Sequence, residues 1–231
     1  MRRQRPISYI ITAAVLLLAL VLVLAKTGVL PIFNSNSNPS SSIAQPFTEK
    51  FQTNDRNWTN GTIGYLTASI NGQYTLQINN ASGNGDTYFP HPSIGTLPDK
   101  FTLTVTMEQT QGDGSYGLAF HESENANGGV SCYALVIHTN GTYQVLKYGP
   151  NLQNGYTMLG QSTSPAIKAG PNQFNTLQVI VKGSTFSFSI NDQPLSGTIT
   201  PDTAYSGGQL AVMVSGTNAS FVVKQVTLMT P

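Results

Sequence analysis

The sequence predicts an all-β protein, an antiparallel sandwich of two sheets, preceded by one N-terminal transmembrane helix. Three observations predict it. Apolar residues alternate with Thr and Ser in short runs, the period of a half-buried strand. Asn-Gly and Gly-Ser pairs separate such runs, where tight hairpin turns need positive φ. Ahead of them, Ile7 to Ala25 carries no charge, and at about 1.5 Å per residue it is roughly long enough to cross a ~30 Å hydrocarbon core.

Residues 1–6 are a basic stub. Arg2, Arg3 and Arg5 before the apolar segment of residues 7–25, against Lys26 after it, favour a cytoplasmic N-terminus and an extracellular remainder. A cleaved signal peptide is the competing reading, since Val23-Leu24-Ala25 loosely fits a cleavage site. Secretory apolar regions usually run about 7–15 residues, shorter than this one. Both readings export the C-terminal part of the chain. Residues 26–43 contain Asn34-Ser-Asn-Ser-Asn-Pro-Ser-Ser-Ser42, which offers no apolar group to order it and reads as a flexible tether.

From residue 44 to 231 the pattern is one of strands. Phe101, Leu103, Val105 and Met107 share one face and threonines the other; Phe186, Phe188 and Ile190 repeat the arrangement, as do Leu177, Val179 and Val181. Asn71-Gly72 and Asn140-Gly141 supply turns, the second joining Val136–His138 to Tyr143–Val145. Gly183-Ser184 joins Val179–Lys182 to Thr185–Phe186. Further strands are expected at Tyr74–Ile78, Ser115–His121, Leu210–Val214 and Phe221–Leu228. More than ten strands with one apolar face each need a second sheet to cover them, and the size suits a jelly roll. An eight-stranded closed barrel is the second solution.

Charge excludes some partners. From Ala44 onward seven Lys/Arg face ten Asp/Glu, a net of −3, which leaves no basic patch for nucleic acid or anionic lipid. Cys132 is the only cysteine, so no intramolecular disulfide forms. Its place in the run Cys132-Tyr-Ala-Leu-Val-Ile137 makes it a buried small hydrophobe.

Four segments resemble the concanavalin A-like lectin/glucanase superfamily, and within it the 3-keto-disaccharide hydrolase-like and laminin-G-like domains. They are Phe47…Phe51…Asn57-Trp58; Phe101–Glu108 followed by Tyr116–His121; Tyr133–His138 with Gly141-Thr-Tyr143; and Phe174–Gly183 with Phe188-Ser-Ile-Asn191, which is similar to a "W-N-x-L…G…N-G" signature. The likeness spans roughly residues 44–229. His121 stands where relatives often carry arginine, and Asp192 replaces the usual glycine after Asn191. The resemblance implies a jelly roll and a carbohydrate or cell-wall glycan as partner. Through its laminin-G-like members it also implies calcium, held by loop oxygens such as those of Asn84, Asp86, Asp113, Asn125 and Asn127.

Glucanases of the superfamily carry acids in an E-x-D-x-x-E pattern on one strand, and that pattern is absent here. Glu122-Ser-Glu124 comes nearest, but Asn125-Ala-Asn-Gly-Gly129 follows at once and makes it read as the start of a solvated loop. His121 and His138 end strands, where an imidazole donates to a sugar hydroxyl or carries a proton. His91, between two prolines, is spaced too far from either to complete a zinc site. Tyr143 and Lys147 share a strand face in the central hairpin, with Tyr116, Tyr133 and Tyr148 as further rings on which a sugar could pack. The residues assigned to ligand contact are therefore Glu108, His121, His138, Tyr143 and Lys147, with no catalytic residue assigned. The function expected is that of a membrane-anchored extracellular carbohydrate-binding domain. A glycoside hydrolase of the 3-keto-disaccharide type and a protein-binding adhesion module are the alternatives.

Overall fold

The computed structural model describes residues 42–80, 82, 85–195 and 205–231, which belong to a compact unit running from Ser40 to Pro231. The basic stub, the transmembrane segment and all but the last two residues of the tether lie outside the described residues. Among the described residues no helix is long and apolar enough to cross a membrane.

Among the described residues every pairing between strands is antiparallel, in agreement with the all-β expectation, and one isolated parallel bridge joins Ile43 to Thr96. The strands are β1 (Phe47–Glu49), β2 (Gly61–Ile63), β3 (Leu66–Ile70), β4 (Tyr74–Ile78), β5 (Asp86–Tyr88), β6 (Lys100–Glu124), β7 (Val130–His138), β8 (Thr142–Tyr148), β9 (Tyr156–Thr163), β10 (Asn175–Lys182), β11 (Thr185–Ile190), β12 (Gln193–Pro194) and β13 (Gln209–Met229). The hairpins fall where the turn chemistry places them. Ile70 pairs Tyr74 across Gly72, Ile137 pairs Tyr143 across Gly141, and Lys182 pairs Thr185 across Gly183-Ser184; all three glycines have positive φ.

Two expected pairs of strands are in fact single strands. Phe101–Met107 and Ser115–His121 both belong to β6, and Leu210–Val214 and Phe221–Leu228 both belong to β13. Phe101 and Phe120 would lie about 60 Å apart on a straight strand, yet their ring centroids are 6.2 Å apart. The strand therefore folds back on itself. The bend falls around Gly112 (φ +78°), where a Cβ would lie 2.2 Å from the Asn218 carbonyl oxygen of β13. Asn218 itself has φ +48°, and β13 slips register between Thr217 and Ser220.

The bend divides the strands into two layers. The first half of β6 pairs β10, which continues to β11 and β12, and on its other side the second half of β13, which carries β1 and β4-β3-β2. The second half of β6 pairs β7, then β8 and β9, and on its other side the first half of β13, flanked by β5. The inward rows meet between the layers: Leu103, Val105 and Met107 with Leu177 and Val179 from one, Leu118, Tyr133, Leu135 and Val212 from the other, all fully buried. Phe51, Trp58 and Tyr74 close one part of this core with ring centroids 5.1–5.7 Å apart.

The signature asparagines act inside this frame. Asn175, fully buried at the start of β10, accepts hydrogen bonds from the Lys168 amide and Asn191 Nδ2 (both 2.8 Å). Its own Nδ2 donates to Tyr116 Oη on the opposite layer and to the Lys168 and Gln173 carbonyls (3.1 Å each). Asn191 and Asp192 both have positive φ, 48° and 64°, the requirement of a type I′ turn. Glycine enters that region without the Cβ penalty. Asp192→Gly is therefore expected to raise stability by up to about 1 kcal/mol, read as a shifted urea midpoint with an unchanged slope.

Candidate functional site

The second layer is strongly curled, and its outer face is filled. Phe89 follows β5 and Tyr148 ends β8, with β13, β6 and β7 between them. Flat, that separation is about 19 Å at ~4.8 Å per strand, but the two rings meet at 5.1 Å. Small side chains permit the curl: Ala119, Cys132, Ala134 and Ala211 line its inside with Val136, Leu146 and Met213, all buried, and Phe89, Val130 and Tyr148 pack on them. At Gly117 a Cβ would lie 1.9 Å from the Leu135 carbonyl oxygen of the neighbouring strand. A sugar chain therefore has no open trough along the middle of this face. Cys132 is one of the filling residues, as expected, and burial pushes its thiol pKa well up.

The open space lies at the rim. A cleft of about 310 Å³ lies between the segment after β5 and the ends of β6 and β7, lined among others by Thr59, Phe89, His91, Glu122, Glu124 and Val130. β6 continues through Glu124, pairing Ser123 with Ser131 and Glu124 with Val130. The expectation that a solvated loop begins at Glu122 is corrected here: the loop begins at Asn125, and Glu122 is only 5% exposed. Burial raises the Glu122 carboxyl pKa; His91 opposes that rise and Glu124 adds to it. A carboxyl whose folded pKa is raised favours its protonated form in the fold. Its contribution is fully present below the ordinary carboxylate value, about 4.3, and is lost as pH rises through the folded value. Glu122→Gln is accordingly expected to melt higher than the parent at neutral pH, with the difference vanishing below about pH 4, measured by thermal unfolding across pH.

The five residues assigned from sequence do not gather into one site, and none lines this cleft. By alternation His121 should face away from Phe120, but a bulge between Phe120 and Ser123, with His121 at φ +54°, turns the imidazole inward. There Nδ1 contacts the Gly207 carbonyl at 2.7 Å and the ring packs among Phe101, Phe120, Tyr133 and Phe186. Burial lowers its pKa, against the opposing pull of the Gly207 carbonyl and Asp99. Lys147 lies near this end of the sandwich, its Nζ 4.9 Å from the Tyr205 ring centre, and Tyr205 packs at a tilt against Tyr133. A small hollow of about 140 Å³ opens beside His121, Asp99, Phe186 and Tyr205. Tyr143 lies four residues from Lys147 on the same face of β8 but is buried in the core. His138 ends β7 beside the Gly141 turn, and Glu108 sits on the other half of β6, its pKa raised by burial.

The oxygens offered for calcium are dispersed. Asp86 Oδ2 accepts from Asn80, and Asn125 Oδ1 accepts from the Asn127 and Gly129 amides, bracing its own loop. Asp113 and Asn125 lie at opposite ends of one layer, over 30 Å apart at ~3.3 Å per residue. Asn84 lies outside the described residues. Among the described residues no group of three or more His, Cys, Asp or Glu side chains is placed to hold a metal.

Neither a scan of protein-family models nor a search of curated proteins gave a match. Solved structures do match. A carbohydrate binding module CBM66 from Bacillus subtilis aligns with a TM-score of 0.54 at 16% identity, over 75% of this chain and 95% of its own. A protein of unknown function with a galectin-like fold, also from Bacillus subtilis, aligns at 0.59 and 12% identity over 80% and 95%. The fold is a concanavalin A-like jelly roll. A Bacillus licheniformis β-glucanase shares it at a TM-score of 0.54 and 12% identity, over 81% of this chain and 99% of that one. At such identities the likeness establishes the jelly roll and leaves ligand and chemistry to the residues themselves.

The acids of the cleft are visible in the sequence as a period-two pair but carry no sign of burial there. His91, 31 residues upstream of Glu122, has no sequence signal linking it to them. The curl that brings the segment after β5 toward the end of β6 is what joins them.

Proposed function

We propose that this chain is a membrane-anchored, extracellular carbohydrate-binding module. Residues 7–25 serve as the anchor, residues 26–43 as the tether and residues 44–231 as the jelly roll that recognises a glycan. The observation that carries the binding part is the rim cleft, where the nearly buried Glu122 carboxylate, Glu124 and His91 border a hollow walled by Phe89 and Val130. Sugars combine apolar C–H faces with hydroxyl donors, and a ring beside strong acceptors suits both. The jelly-roll neighbours lend support, since they include a carbohydrate binding module and a β-glucanase. With the face of the curled layer filled, the contacts belong to the rim rather than to the five residues assigned from sequence.

Glycan-array and cell-wall pull-down measurements on the full chain in a polyoxyethylene detergent test this reading. Binding that Glu122→Gln weakens at least about tenfold is expected; no binding to any polysaccharide or wall preparation would sink it. The anchor is tested separately. Alkaline washing should leave the protein in the membrane fraction, with an N-terminus ahead of Ile7, whereas a mature chain starting at Lys26 would establish cleavage. A hydrolase is the second reading, favoured by a carboxyl whose pKa burial raises next to a more exposed one. It requires sugar release that Glu122→Ala abolishes.

A further inference from the structure

Glu122 and Glu124 are the acids of a rim cleft otherwise lined by apolar side chains, hydroxyls and His91. With only 5% of its surface exposed, Glu122 lines the hollow, and among the described residues its carboxyl makes no ion pair and accepts no hydrogen bond. Glu124 shares the cleft, and none of the lining residues is Lys or Arg. The ionisable groups around Glu122 are His91, from the segment after β5, Glu124 on its own strand and Cys132 on β7.

None of the nearby hydroxyls makes a hydrogen bond to the Glu122 carboxyl. Tyr88 Oη accepts from the Tyr65 amide, Thr59 Oγ1 from the His91 amide, and Thr87 Oγ1 donates to Ser215 Oγ. A buried carboxylate without donors is costly unless the ligand brings them. Neutral sugar hydroxyls bring donors but leave the charge of two acids uncompensated. An ammonium brings three donors and a compensating charge together. The hollow, at about 310 Å³, lies at the lower end of the ~300–1,000 Å³ range of small-molecule sites, enough for one sugar unit rather than a chain.

We propose that this cleft binds an amino sugar through its free, protonated amine, with the ammonium placed between Glu122 and Glu124 and the sugar body against Phe89 and Val130. The inference rests on the carbohydrate reading and narrows it to hexosamines that are not N-acetylated. Acetylation removes both the charge and two of the three donors.

Isothermal titration of the full chain in a polyoxyethylene detergent decides it. The ligands are glucosamine oligomers, N-acetylglucosamine oligomers and neutral glucose oligomers of equal length, with a simple alkylamine as a fourth, at a pH where the amine is charged. The free-amine oligomer is expected to bind at least about tenfold tighter than the acetylated one. Glu122→Gln should erase that preference while the protein stays folded, shown by a melting temperature at or above the parent's. Equal affinity for acetylated and free-amine oligomers would overturn the amine assignment while leaving carbohydrate binding intact. An alkylamine that binds as tightly as the sugar would overturn the amino-sugar assignment. No binding of any of the three oligomers would bring down both readings.

Discussion

Asn175→Ala is expected to destabilise the protein by about 4 kcal/mol, because each buried polar group left without a partner costs about 1–3 kcal/mol. Removing this amide strands several at once: the Lys168 amide and carbonyl, Asn191 Nδ2 and Tyr116 Oη. The last of these belongs to the opposite layer, so the loss also loosens the contact between layers. Asn191 cannot compensate, because its Oδ1 is engaged by the Thr176 amide and its Nδ2 by the Ala166 carbonyl. Asn175→Asp is expected to be no milder: it keeps the acceptor, loses the donors and buries a charge. Urea unfolding of the two variants measures both, and a loss below about 1 kcal/mol in Asn175→Ala would show that water replaces the amide.

Gly117→Ala is expected to cost about 3 kcal/mol, at the upper end of the range for overpacking. The added methyl would lie 1.9 Å from the Leu135 carbonyl oxygen and 2.8 Å from the Val136 Cα. Both obstacles are backbone of the central strand β7, which is held between β6 and β8 and cannot give way like a side-chain tip. Relief requires flattening the curl, which pulls Phe89 away from Tyr148 and uncovers the small-residue interior. Gly141→Ala makes a control. Its Cβ meets nothing within 4 Å, but φ is +86°, so the cost there is conformational, about 1–2 kcal/mol. Differential unfolding of the two variants separates clash from strain. Exposure of the outer face in Gly117→Ala would appear as faster hydrogen exchange at Ala119 and Ala134.

The layered architecture is legible in the sequence because it follows from local rules. Alternation in Phe101–Met107 and Thr185–Ile190 assigns the inward rows, and Gly72, Gly141 and Gly183 mark hairpins that the structure reproduces. What escapes the sequence depends on chain segments far apart. Phe101–Met107 and Ser115–His121 read as two strands, whereas they are one strand that bends from layer to layer around Gly112. His121 keeps no periodic signature of its inward turn, because a bulge reverses the face of one residue without changing composition. Glu122 and Glu124 read as solvated because the polar loop after them is local, while the wall that buries Glu122 comes from residues 87–91. Tyr143 and Lys147 do share a face, as alternation requires, but alternation is silent on which face meets the core.

The run of β6 and β13 through both layers bears on how the chain reaches its native state. β1 pairs with β13 across some 180 positions of sequence, Phe47 opposite Leu228, and β13 is the hydrogen-bonded neighbour of β1, β4, β5 and β6. Contacts of such long range make folding slow, because loop-closure entropy precedes any reward from pairing. Until residues 209–229 are in place, neither layer has its central strand, and hairpins such as β7–β8 and β10–β11 have no complete core to pack on. Assembly is thus gated by one segment: the chain stays open, threadable and vulnerable to proteases until β13 docks, and then both layers close together.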